Sequence, residues 1–121
     1  MDISKVIAAM KKEPGFSQNV GMVLVHNGVV RGWSRQDYKT VTSIEVTVDE
    51  KKVADLQREY SRKPGIYKII IEYRSGTLQP GDDLLFIVVA GDIRENVKPV
   101  LSELLDRIKA EAVTKSESIQ I

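Results

Sequence analysis

Apolar and polar residues recur with different periods along the chain, and those periods mark out its elements. Ile3, Val6, Ile7 and Met10 fall at helical spacing, so Asp2 to Glu13 reads as a short helix closed by Pro14-Gly15. Val20 to Val30 is apolar and rich in β-branched residues, which predicts a strand with Gly28 as a candidate bulge. Arg31 to Lys39 is polar and reads as a loop. In Thr40 to Val48, the residues Val41, Ile44, Val46 and Val48 stand among Thr, Ser and Glu. That pattern predicts a second strand, antiparallel to the first. The next helix opens over Thr47 to Glu50, with Thr47 and Glu50 at capping-box spacing and Asp49 as the rival cap. Val53, Leu56 and Tyr60 give it a narrow apolar face, and Pro64-Gly65 stops it.

Ile66 to Tyr73 alternates, but both faces carry apolar residues, which predicts a central strand. Ser75-Gly76 starts a turn, and Gln79-Pro80-Gly81-Asp82 places Pro and Gly as a type II turn prefers. The continuous apolar run Asp83 to Val89 reads as a buried strand. Val97, Val100, Leu101, Leu104, Leu105 and Ile108 then form one buried helix face, with Pro99 in about the first turn. After Lys109 the pattern decays, and residues 110–121 read as a polar C-terminal tail. The predicted order is α-β-β-α-β-β-α, with no linker or repeat. Residues 1–121 are therefore expected to form a single α+β domain, a mainly antiparallel sheet with packed helices.

Composition narrows the partners. The 121 residues include 42% hydrophobic residues, enough for a real core. Net charge is +1, from 18 Lys and Arg against 17 Asp and Glu. Neither nucleic acid nor a membrane is expected as a partner, although a local basic pocket is allowed. With no cysteine there is no disulfide, thiolate metal site or Cys nucleophile. The first residues lack the apolar core of a signal peptide, and the run Leu84 to Ala90 is too short to span a bilayer. A cytoplasmic location is expected.

Candidate chemistry is sparse. The single His26 lies on a predicted strand and reads as a structural or surface histidine, since it would need several carboxylates to hold a metal. No Ser-His-Asp pattern, P-loop or dinucleotide fingerprint is present. Asp82-Asp83 reads as part of a turn. Three basic features stand out: Arg31 and Arg35 flanking Trp33, Arg94 at the start of the last helix, and Lys109 with Lys115 near its end. Were they to converge, they would make an anion pocket, in which a lysine among cations has a lowered pKa.

The order of these segments resembles the large, catalytic subunit family of molybdopterin synthase. Gly21 to Arg31 is similar to a strand of the form G-A-x-x-x-F-x-G-x-V-R, with Gly28, Val30 and Arg31 in register. Tyr73 to Asp82 resembles H-R-x-G-x-L-x-x-G-D. Arg94 matches the Arg of an H-R pair, Lys109 follows 15 residues later, and Lys115-Ser116-Glu117 resembles a closing K-x-E. Ile93 and Tyr73 stand where the family has His, and Ala112-Val113-Thr114 replaces a segment with Pro and Trp.

The resemblance implies a large-subunit fold of the α/β-hammerhead type. It implies sulfur transfer that converts cyclic pyranopterin monophosphate to molybdopterin, with no metal or organic cofactor. Sulfur would come from a thiocarboxylated, ubiquitin-like small subunit ending in Gly-Gly. The large subunits would form a homodimer within a heterotetramer. By the same resemblance Lys109 and Lys115 are catalytic. Arg31 and Arg94 bind the substrate phosphate, and Glu117 orients or tunes Lys115. This reading requires Arg31, Arg94 and Lys109 to meet in a common cleft. The departures define the alternative, a non-catalytic homodimeric relative acting as a binding or scaffold module.

Overall fold

Two aspartates start two of the helices. Asp2 accepts a hydrogen bond from the Lys5 N–H at the head of α1 (Ile3–Lys11), and Asp49 accepts one from the Lys52 N–H at the head of α3 (Glu50–Ser61). Each carboxylate satisfies a donor that the first turn leaves open. Of the two caps weighed for α3, Asp49 is the one used. A short helix, α2 (Phe16–Asn19), follows the Pro14-Gly15 stop. The computed structural model describes residues 1–120, and among these no helix is long and apolar enough to cross a membrane.

The strands are β1 (Met22–Val29), β2 (Val41–Val48), β3 (Ile66–Tyr73), β4 (Gly76–Leu78), β5 (Asp83–Gly91) and β6 (Val113–Ile119). They form two three-stranded sheets among the described residues, in the orders β1-β5-β3 and β4-β2-β6, with every pairing antiparallel. The α+β, mainly antiparallel class is therefore observed. The partner expected for β2 is not: β2 pairs with β4 and β6 instead of β1.

The central strand of the first sheet is β5, not β3. Both faces of β3 are apolar because both faces of the sheet are covered. Ile69 packs into the main core with Val97, Leu104 and Ile108 of α4 (Arg94–Glu111), while Tyr67 and Ile70 pack against Met10 and Phe16. The bulge anticipated at Gly28 is present as a register shift between Gly28 and Val29. Pro99 stands six residues into α4, past its first turn. The segment read as a polar tail divides in two: α4 runs to Glu111, and residues 113–119 make the edge strand β6. Its polarity is that of a strand with a solvent-facing side and a free edge.

Candidate active site

Strand periodicity brings the C-terminal pair together. Lys115 lies opposite Val46 and Glu117 opposite Ile44 in the β2–β6 ladder. Directly opposed residues share a face of the sheet, so Lys115 and Glu117 project on the side of buried Ile44 and Val46. The K-x-E spacing, two residues apart, is what a strand needs to put both charges on one face.

The opposite wall comes from the first sheet and α4. Lys109 sits in the last turn of α4, one residue past the fully buried Ile108. Arg31 follows β1, anchored by its neighbour Val30, whose N–H donates to Asp82 and whose carbonyl accepts from Gly81. The Arg31 guanidinium lies 5.0 Å from the Trp33 ring centroid, and Trp33 stacks on Tyr38 at 5.4 Å. This cation–π contact holds the arginine at the loop.

Between these walls is a cavity of about 400 Å³, whose charged lining is Arg31, Arg35, Lys109, Lys115 and Glu117. His26, Ile44 and Leu85 complete much of its surface. A small apolar slot of about 20 Å³, lined in part by Tyr73 and Val113, continues beside Lys109 and Lys115. Loss of solvent around the Lys115 ammonium holds its pKa below the ordinary lysine value, helped by the positive charges of Lys109, Arg31 and Arg35 and opposed by Glu117. Loss of solvent also lowers the His26 pKa, with Lys109 adding to it. Tyr73 is pushed up by loss of solvent and by Glu50, which keeps its hydroxyl protonated. Four cations around one carboxylate favour an anionic ligand that carries more than one oxygen.

Of the residues singled out in the sequence, Arg31, Lys109, Lys115 and Glu117 meet in this cavity. Arg94 does not. It is the first residue of α4, exposed and paired with Glu95 at 3.2 Å. Fifteen residues of helix separate it from Lys109, about 22 Å along the axis. The common cleft required of Arg31, Arg94 and Lys109 is thus absent within one copy of the chain. A larger cavity, about 650 Å³, holds Asp92 and no basic side chain. Among the described residues no group of three or more His, Asp or Glu is gathered as metal ligands.

Sequence reasoning set His26 aside, yet it lines the cavity. Two signals pointed there. His26 breaks the apolar face formed by Met22 and Leu24, and it stands where the resembled strand pattern carries Phe.

Comparison with known proteins follows the same outline. The model of the family described as "MoaE protein" matches residues 1–111. A "probable molybdopterin synthase" of Haloferax volcanii is 25% identical over 95 residues, covering 75% of this chain. The chain spans 36% of the length of that curated relative. The crystal structure of molybdopterin synthase from Staphylococcus aureus matches with a TM-score of 0.71 and 27% identity, over 84% of this chain and 76% of that one. A complex of subunits 1 and 2 of molybdopterin-converting factor from Helicobacter pylori has a TM-score of 0.71 at 17% identity, over 99% and 80% of the two chains. The last likeness is one of fold.

Proposed function

The chain belongs to the MoaE family, that of the molybdopterin synthase large subunits, and from that premise we propose that it works in molybdenum cofactor biosynthesis as a sulfur-transfer enzyme. The substrate is cyclic pyranopterin monophosphate, the product molybdopterin. The sulfur donor is a small ubiquitin-like subunit whose Gly-Gly tail ends in a thiocarboxylate. The observation that carries the reading is the meeting of Arg31, Lys109, Lys115 and Glu117 around one cavity in a chain of this family.

The chemistry asks for these groups. In each transfer the thiocarboxylate sulfur bonds to a substrate carbon as a carbon–oxygen bond at that carbon breaks, the oxygen leaving as water or on the opened phosphate ester. Water then cleaves the acyl–sulfur bond, giving the carboxylate and the substrate thiolate. Both thiocarboxylate and phosphate are anions, so they approach each other only where cations offset their repulsion. Arg31 offers a planar fork to the phosphate. Lys109 neutralises the thiocarboxylate and the charge that develops on the acyl oxygen. Lys115, with its lowered pKa, gives and takes a proton more readily than an ordinary lysine. Glu117 limits that lowering and orients the ammonium.

Arg94 enters only through an assembly in which a second copy of the chain brings it to the pocket. A homodimer inside a heterotetramer is accordingly part of this proposal. The partner is supported by the complex of two subunits known for the Helicobacter pylori protein of the same fold. A cytoplasmic site of action fits the substrate.

The test is reconstitution. The chain is mixed with a thiocarboxylated small subunit and the cyclic pterin, and the dithiolene product is measured. Wild type should form product, and Lys109→Ala should lose at least about a hundredfold in rate, the usual scale for a removed charge-stabilising group. No product from wild type, or full activity in Lys109→Ala, would overturn the assignment. One observation favours the second reading, a non-catalytic homodimeric binding or scaffold module: Ile93, at the family's His position, is 53% exposed beside Arg94 and outside the cavity. That reading predicts a stable dimer with no product.

A further inference from the structure

His26 interrupts a face that is otherwise apolar. Met22 and Leu24 point to the same side of β1 and pack into the main core, and His26 follows them at the period of a strand. Its strand partner is Ile87, which is uncharged and fully buried. The ring is half-buried, and its Nε2 atom is buried with no hydrogen-bond partner. Buried polar atoms are nearly always paired, so an unpaired one on the wall of a cavity marks a place where a ligand atom belongs.

Local construction supports this. A Cβ at Gly28 would come within 2.9 Å of Nε2, so the glycine leaves the room that the imidazole occupies. The Cβ–Cγ torsion of histidine is soft, and the ring can turn this nitrogen toward a ligand in the cavity. The charged groups around it are Lys109 from α4, Lys115 and Glu117 from β6, and Arg31 and Arg35 from the loop after β1. Loss of solvent, with the charge of Lys109 adding to it, holds the His26 pKa below its ordinary value and so favours the neutral ring. A neutral imidazole presents one N–H and one bare nitrogen. Through one tautomer or the other Nε2 can therefore donate to, or accept from, a group on the edge of a nitrogen heterocycle. It does little for a phosphate, which the cations already serve.

We propose that His26 is a specificity-determining contact of this pocket, hydrogen-bonding the ring edge of a phosphorylated nitrogen heterocycle whose phosphate is held by the surrounding cations. The identity of that heterocycle as the cyclic pterin rests on the sulfur-transfer reading. His26 is the chain's single histidine, so its ring Cε1–H resonance is an unambiguous reporter in this chain.

The experiment titrates the chain with cyclic pyranopterin monophosphate and, separately, with inorganic phosphate. It compares wild type, His26→Phe, His26→Gln and Lys109→Ala. The pterin should shift the His26 resonance. His26→Phe should bind the pterin about tenfold more weakly, the scale of one hydrogen bond in a closed site. It should bind phosphate as wild type does. His26→Gln, which keeps an acceptor and a donor, should recover part of the loss, whereas Lys109→Ala should weaken both ligands. Unchanged pterin binding in His26→Phe, an unmoved His26 resonance with bound pterin, or equal losses for pterin and phosphate would overturn the contact alone. A wild-type chain that binds phosphate and not the pterin would overturn the sulfur-transfer reading and the pterin contact with it.

Discussion

Lys115 is held away from ordinary lysine behaviour by groups that pull in opposite directions. Loss of solvent and the cations Lys109, Arg31 and Arg35 favour the neutral amine, while Glu117 favours the ammonium. Two single substitutions should therefore move its titration in opposite senses. Glu117→Gln removes the stabilising carboxylate and should lower the Lys115 pKa further. Arg35→Ala removes a repelling cation and should raise it. Nζ-detected NMR titration checks both. Movement of both variants in one direction would show that the charge pattern does not govern this lysine. At this scale much of the site was legible in the sequence. Lys115 and Glu117 stand two residues apart, which needs only a strand to share a face, and Arg31 follows a recognisable strand. The distance of Arg94 from this cavity within one copy was not legible, because spacing along a helix says which residues lie in order, not which end of the helix meets the cavity.

Element by element, α4 carries the most consequence, because it spans the main core and delivers Lys109 at its end. Leu104 is fully buried at its middle, and Leu104→Ala should cost about 3 kcal/mol in a denaturant melt, the usual scale for a large-to-small change in a core. The end of α4 is tied down by charge. Glu111 meets Arg107 at 2.8 Å and Lys52 of α3 at 3.0 Å, and Arg107 reaches Glu59 of α3 at 2.6 Å. These partners hold the Glu111 pKa at about 2, against an ordinary 4.5. A carboxylate depressed by folding adds stability above its unfolded pKa and loses it as pH falls through the folded one. Thermal stability should thus decline between about pH 4.5 and pH 2, and Glu111→Gln should flatten that part of the curve. A wild-type slope in the variant would assign the acid sensitivity to other groups. The long helix was readable because its buried face, Val97 to Ile108, repeats over about three turns. The strand β6 was not, since one edge strand with mostly exposed residues lacks an apolar period. Nor did the chain announce which strand lies centrally, because the two-faced apolarity of β3 reflects layers above and below the sheet.

The molecule as a whole places its cavity at a seam. Lys109 and Arg31 belong to the first sheet and its helix, whereas Lys115 and Glu117 belong to the second sheet, and among the described residues no strand pairing joins the two sheets. What holds the walls at their separation is apolar packing: Val30, Leu84 and Leu85 against Val41, Ile44, Val46 and Leu78, all in one buried cluster. One backbone bond, from the Val41 N–H to the Gly32 carbonyl, helps at the margin. The pKa of Lys115 is depressed first by loss of solvent between the walls and next by Lys109 across that seam. Ile44 is 5% exposed and lines the cavity, so Ile44→Ala removes packing where the walls meet. It should cost about as much stability as Leu104→Ala, roughly 3 kcal/mol. The two variants should differ in the pocket. Ile44→Ala loosens the approach of Lys109 to Lys115 and should bring the Lys115 pKa back toward its ordinary value. Leu104→Ala, which leaves the seam packed, should not. Both are measured by NMR titration well below their melting temperatures, a readout that needs no partner subunit and no turnover. If the two variants shift Lys115 equally, the cavity's electrostatics are set by each sheet alone. A difference confined to Ile44→Ala means that the packing between sheets sets the chemistry of the lysine.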